Sequence, residues 1–219
     1  MPEIEALAAG MKAYSTWNTT AVLQECREAC GGKAYLSENR IDALKNDTEV
    51  YTTFEGDNTV LMQLVAKNRL SEFRKSFGQM DAKGMIQYVY ENAKTVISEK
   101  NPIATRNTDE AHLQDNKFHL SAFQYREKTT LASAAKRLKK LIDSGLAPYD
   151  AFNVVQHQII DVTQAYLERI LLEQFQIAIT SIKDPNSKTV MVKLCQLYAL
   201  SQIEINKGWY LEDGYMEAV

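Results

Sequence analysis

One carboxylate in this chain stands in a setting that suits proton transfer. Glu55 follows two hydroxyl residues and an aromatic one, Thr52, Thr53 and Phe54, and precedes Gly56 and the pair Asp57-Asn58. A carboxylate held at a helix entrance with few charged neighbours can act as a general base. Burial raises its pKa, and nearby main-chain N–H groups limit the rise. Taken alone, the same tetrapeptide reads more simply as an exposed glutamate in a turn, with Asp57 or Asn58 capping the helix that follows. A second feature is Gly31-Gly32, with Glu28 four residues before Gly32. A glycine pair after a helix lets a ligand approach main-chain N–H groups, as a dinucleotide requires, but it is also an ordinary helix stop.

The remaining candidates carry less chemistry. Cys26 and Cys30 share a helix face, yet two thiols without a nearby histidine or further cysteine do not make a zinc site. No metal is expected, and both cysteines read as core residues. His112, His119 and His157 are isolated from any nucleophile or carboxylate at triad spacing. Lys136, Arg137, Lys139 and Lys140 surround Ala135, Leu138 and Leu141, the pattern of a solvated helix face.

The elements that must position these residues are helical. Ile4, Leu7, Met11 and Tyr14 fall on one face of a first helix. A second is expected from about Thr20 to Cys30, with Val22, Cys26 and Ala29 on one side and Gly31-Gly32 ending it. After an irregular stretch with a helical turn near Ile41 to Leu44, a helix opens at Asp57 or Asn58 and carries Val60, Leu61, Leu64 and Val65 inward. Another runs from about Met80 to Ile97. Residues 99–116 are polar, contain Pro102 and lack an apolar period, so they read as a boundary. Beyond it lie a helix from Lys117 to Ser144, one opening at Pro148 and ending before Asp184-Pro185, and one from Lys188 to Ile205. Gly208 then begins an aromatic tail. No strand pattern of useful length occurs, so the fold class is all-α, built of antiparallel helical bundles.

Composition bounds the function. The 219 residues are 45% hydrophobic and 24% charged, enough for a sizeable core without staples. A net charge of −3, with 25 basic and 28 acidic residues spread along the chain, offers no field to recruit nucleic acid. Three cysteines do not make a disulfide framework and point to a reducing compartment. The first residues lack the order of a secretory signal. The last ones form no peroxisomal or endoplasmic-reticulum address, and no apolar run reaches membrane-span length. A cytoplasmic protein is the plain expectation.

Two stretches rise above generic helix. Gln24-Glu25-Cys26-Arg27-Glu28-Ala29-Cys30-Gly31-Gly32-Lys33-Ala34-Tyr35 is followed about twenty residues later by Thr52-Thr53-Phe54-Glu55-Gly56-Asp57-Asn58-Thr59-Val60-Leu61. Together they resemble the acyl-CoA oxidase and dehydrogenase superfamily, and most closely the oxidases. The segment from Leu200 to Glu212 also looks like the closing part of an oxidase. The middle of the chain matches only in helical character. One residue departs from the family pattern: Ala34 stands where members usually carry glycine, which is harmless unless the position needs positive φ.

The resemblance implies a job for each residue. Glu55 would remove the α-proton of a fatty acyl-CoA while a hydride leaves the β-carbon for the flavin of FAD, giving trans-2-enoyl-CoA. The N–H of Glu55 would help hold the thioester carbonyl. Gly56 and Phe54 would lie against substrate, and a side chain at 56 would crowd it. Gly31 and Gly32 would contact the adenine-ribose-diphosphate end of an FAD bound largely by a partner subunit. Glu28 falls where dehydrogenases often place a glutamine near FAD, and Asp57, Asn58 and Thr59 resemble flavin-contacting positions.

It also implies domains: 1–98 a dehydrogenase-type C-terminal helical domain entered inside its first helix, 99–116 a linker, and 117–219 an oxidase-type second bundle. A homodimer is the expected assembly. The β-domain and first helical domain of the family have no counterpart here, so a companion chain, a longer parent protein or a domain kept for assembly all remain open. The second bundle favours O2 as electron acceptor over an electron-transfer flavoprotein, because short-chain-type dehydrogenases end soon after the region of residues 58–98. The alternatives are a dehydrogenase and a non-catalytic dimerisation or interaction module.

Overall fold

A computed structural model describes residues 2–78 and 109–216, and all regular structure among them is helical. The helices are α1 (Pro2–Ala29), α2 (Ile41–Val50), α3 (Asn58–Gly78), α4 (Glu110–Leu113), α5 (Asn116–Asp143), α6 (Pro148–Val154), α7 (Gln156–Thr180), α8 (Pro185–Ile205) and α9 (Lys207–Glu212), with 3-10 turns at Gly31–Tyr35 and Ser37–Asn39. The helix expected near Met80 to Ile97 and the polar segment 99–108 lie outside the described residues.

The ends of the helices follow local chemistry. Asp57 caps α3, its Oδ1 accepting from the N–H groups of Thr59 at 2.9 Å and Val60 at 3.3 Å. Asp184 does the same for α8, accepting from the Ser187 N–H at 2.7 Å, and Pro185 supplies the preset φ of the first turn. Those hydrogen bonds from Ser187 hold the Asp184 carboxyl below its usual range. Helix α5 stops where Gly145 takes φ +96 and Leu146 N–H returns to the Leu141 carbonyl at 3.2 Å.

Several sequence expectations are corrected. The first two expected helices are one continuous α1. Its threonines do not interrupt it, because Thr16, Thr19 and Thr20 turn their hydroxyls back onto carbonyls four residues earlier. Its buried stripe is Ala6, Gly10 and Ala13, with Ile4 and Val22 exposed. In α3 the inward residues are Met62, Val65 and Ala66; Val60 and Leu64 face outward. Cys26 and Cys30 are exposed rather than core. The helix from Pro148 is interrupted at Val155, a buried residue that joins α6 to α7.

The chain forms two compact units, residues 1–71 with 133–167, and residues 72–132 with 168–219. In the first, α1 approaches its neighbours closely at Gly10. A Cβ there would lie 2.9 Å from the buried Leu167 side chain and 3.2 Å from Val65. Thr163 on α7 donates to the Met62 carbonyl at 2.7 Å. Ala66, Val155 and Ile159 pack with Leu70, Leu138, Leu141 and Phe152. Burying each large side chain such as Ile159 contributes about 1.5–3 kcal/mol.

The second unit centres on Phe123, Tyr125, Leu172, Cys195, Ile203, Tyr210 and Tyr215. Tyr210 donates to the Ala122 carbonyl at 3.1 Å, and burial pushes its phenol well above the ordinary range. Burial likewise raises the Cys195 thiol.

Candidate functional site

Glu55 lies in the turn between α2 and α3. The chain leaves α2 through Phe54 N–H, which returns to the Val50 carbonyl at 2.9 Å, and the turn closes where Asn58 N–H donates to the Thr52 carbonyl at 3.0 Å. Between these closures Glu55 takes φ +56 and Gly56 takes φ +109. A non-glycine residue in the left-handed region costs about 1–2 kcal/mol, so the turn holds Glu55 against a local preference. The conformation also explains Gly56, because any L side chain at φ +109 is strained and its Cβ would meet Leu61 at 3.2 Å.

The anchors of this turn are buried while its apex is not. Asn58 is 1% exposed, and its Nδ2 donates to the Ala13 carbonyl at 3.2 Å and to Thr16 Oγ1 at 2.8 Å, both on α1. Lys12 on α1 donates to the Gly56 carbonyl at 2.7 Å and to Asn58 Oδ1 at 2.9 Å. Glu55, Phe54 and Asp57 are exposed. The burial expected around the Glu55 carboxylate is therefore not provided by this chain. The Asn58 side-chain amide is committed to α1 and Lys12. Asp57 is engaged in capping α3.

The glycine loop is at the far end of α1. At about 1.5 Å per residue, Lys12 and Ala29 stand roughly 25 Å apart along the helix, so the Glu55 turn and the loop are separate patches. Gly31 takes φ +56, a conformation that favours glycine, and a Cβ at Gly31 or Gly32 would meet nothing within 4 Å. The main chain there is open to approach. Ala34 is buried and is not among the positive-φ residues, so its replacement of glycine carries no strain.

A network holds the loop on α1. Arg27 donates to the Tyr35 hydroxyl at 2.6 Å and lies over its ring at 5.4 Å, and Asn39 donates to the Lys33 carbonyl at 2.8 Å. Glu28 accepts from Gln24 at 2.6 Å, and Gln24 in turn accepts from Lys45 of α2. Open glycine main chain, the exposed Glu28 carboxylate and Tyr35, 70% exposed, thus lie together at this end of α1.

The histidines and basic cluster do not join either patch. His119 is fully buried, with Nε2 2.6 Å from the Leu113 carbonyl. Lys139 pairs with Asp143 on the exposed face of α5. Among the described residues no group of three or more His, Cys, Asp or Glu could hold a metal. Sequence reasoning missed Lys12, whose signal is faint: one lysine between Met11 and the buried Ala13 on the packed side of α1.

Comparison with known proteins covers the chain from both ends. The family model described as acyl-CoA oxidase, C-alpha1 domain, matches residues 1–70, and the acyl-CoA oxidase model matches residues 115–219. Acyl-coenzyme A oxidase 2, peroxisomal, of Arabidopsis thaliana is 36% identical over 214 residues, which are 98% of this chain and 31% of that protein. The crystal structure of acyl-CoA oxidase 1 from Yarrowia lipolytica superposes with a TM-score of 0.82 at 27% identity, over 98% of this chain and 30% of that one. The Caenorhabditis elegans acyl-CoA oxidase-1 complexed with FAD and ATP shares the fold, with a TM-score of 0.79 at 20% identity over 100% of this chain and 32% of that one. The chain thus spans about a third of the length of the relatives it matches. With both models in place and the fold of the described residues shared with these oxidases, the chain belongs to the acyl-CoA oxidase family.

Proposed function

We propose that this chain supplies the catalytic base and one edge of a flavin site in an FAD-dependent acyl-CoA oxidase. The observation that carries the reading is the Glu55 turn: an exposed carboxylate at positive φ, fixed from below by buried Asn58 and by Lys12. Glu55 takes the α-proton of a fatty acyl-CoA, and its N–H donates to the thioester carbonyl, acidifying that proton. Gly56 leaves the approach to the α-carbon free of a side chain. FAD, when bound, supplies the acceptor for the β-hydride, with O2 as final oxidant and trans-2-enoyl-CoA as product. Gly31 and Gly32 leave main chain open to the diphosphate end of a cofactor, with Glu28 beside them. Phe54, 56% exposed, offers an apolar wall to the acyl chain.

The rest of the site comes from other polypeptide. Tyr35, Phe54 and Val60 in the first unit, and Leu197 and Ile205 in the second, are all more than half exposed, as surfaces covered by protein in an assembly would be. A homodimer, a companion segment carrying the β-domain, or both would cover them. The three unbridged cysteines fit a reducing compartment such as the cytoplasm.

The test uses the flavin-loaded enzyme that contains this chain. Glu55→Gln keeps the flavin and slows its reduction by acyl-CoA at least ~100-fold, in line with the loss of a general base. An enzyme without flavin absorbance, or a Glu55→Gln variant of normal rate, overturns the reading. Peroxide release with acyl-CoAs of several lengths separates oxygen from an electron-transfer flavoprotein as acceptor.

A further inference from the structure

Lys12 reaches the Glu55 turn from a different helix, and its ammonium is shared between two acceptors placed one and three residues after the base. One is the carbonyl of Gly56 at 2.7 Å and the other is Oδ1 of Asn58 at 2.9 Å. Asn58 is in turn locked by Ala13 and Thr16 of α1, and its N–H closes the turn on Thr52 at 3.0 Å. Glu55 and Gly56 both sit at positive φ, where the backbone persists only if its surroundings over-determine it. A charged donor suits that task, because charge-assisted hydrogen bonds are roughly twice as strong as neutral ones.

We infer that Lys12 is a positioning residue for the Glu55 base: by holding the Gly56 carbonyl and the Asn58 amide together it fixes the left-handed turn from which the carboxylate reaches substrate. The inference rests on the proposed role of Glu55. Lys12 itself touches no substrate atom in this account. It acts through Gly56 and Asn58, one and three residues after the base, and it ties the position of the carboxylate to α1 rather than to the turn's own preferences.

Two substitutions in the flavin-loaded enzyme test it, with Glu55→Gln alongside. Lys12→Met keeps the apolar stem and removes the donors, and Lys12→Arg keeps donors at similar reach. The expected result for Lys12→Met is a ~10- to 100-fold slower flavin reduction by acyl-CoA in a single turnover, since small misplacements of reacting groups cost that much. KM and flavin content stay within about twofold, the pattern of an interaction that matters in the transition state. Lys12→Arg restores most of the rate.

A merely structural lysine would lower the melting temperature and leave the rate per bound flavin unchanged, and that result overturns the inference. Where Lys12→Met does not fold, Lys12→Leu, which also lacks a donor, is read in the same assay by the same criteria. An inactive Glu55→Gln beside a normal Lys12→Met overturns the role of Lys12 alone. An active Glu55→Gln overturns the base assignment and this inference with it.

Discussion

Arg126 on α5 donates to Glu168 on α7 where the two side chains keep only 8% and 1% of their surface. One residue further along each helix the polarity is reversed: Arg169 on α7 donates to Glu127 on α5 and, at 2.6 Å, to Glu173. Burial works against the Arg169 charge, but its hydrogen bonds and charge contacts with Glu127 and Glu173 outweigh it and raise the guanidinium above its usual value. The crosswise pairing leaves each cation facing a carboxylate, and a slide of α5 along α7 would bring like charges together. Removing one partner takes a charge-assisted hydrogen bond from the other in a dry setting. Arg126→Met is expected to cost about 3–5 kcal/mol in urea unfolding, whereas Arg126→Met with Glu168→Leu recovers much of that loss. A single substitution no worse than the double would show that the buried charges are not the source of the cost.

His119 provides a pH signature for the same unit. Burial lowers its pKa below the ordinary 6.5, outweighing the Leu113 hydrogen bond and the Asp115 charge, which raise it; His112 lowers it slightly further. Well above pH 6.5 the ring is neutral whether the chain is folded or not, and it contributes no pH dependence. As the pH falls below 6.5 the unfolded chain takes up a proton that the folded chain refuses, so stability declines until the folded pKa is reached. Subtracting the unfolding curve of His119→Gln from that of the parent between pH 7.5 and 5 should give a difference that grows toward acid. A flat difference would mean that His119 titrates alike in both states.

Much of the helical framework was legible locally. Asp184-Pro185 announces the start of α8 through a cap and a preset φ, and Gly145 announces the end of α5. The Glu55 turn was legible as a motif, because its residues are adjacent in sequence. What could not be read is what packs across the fold. Lys12 and Gly56 are 44 residues apart, and Arg126 and Glu168 are 42 apart. No periodicity within one helix indicates which acceptor on another will lie opposite. The same limit hid the buried stripe of α1: Ala6, Gly10 and Ala13 are small residues that suit close helix approach, while the larger Ile4, on the apolar face expected of the helix, is 72% exposed. Val60 and Leu64 misled in the same way: they follow the apolar period of α3, yet they are 59% and 50% exposed.

The coupling between Lys12 and Asn58 can be measured without any cofactor. Asn58→Ala removes the acceptor for Lys12 and the donor for Thr16 from a site only 1% exposed, and is expected to destabilise the chain by about 1–3 kcal/mol. Lys12→Met removes the other side of the same 2.9 Å contact. If the two act as one clamp, the double variant loses less than the sum of the single losses, with an interaction of about 0.5–3 kcal/mol in a double-mutant cycle of urea unfolding. A pair far apart in the fold would instead be additive within a few tenths of a kcal/mol. Additivity here would show that Lys12 is held by the Gly56 carbonyl alone, and that the buried asparagine anchors the Glu55 turn to α1 independently of it.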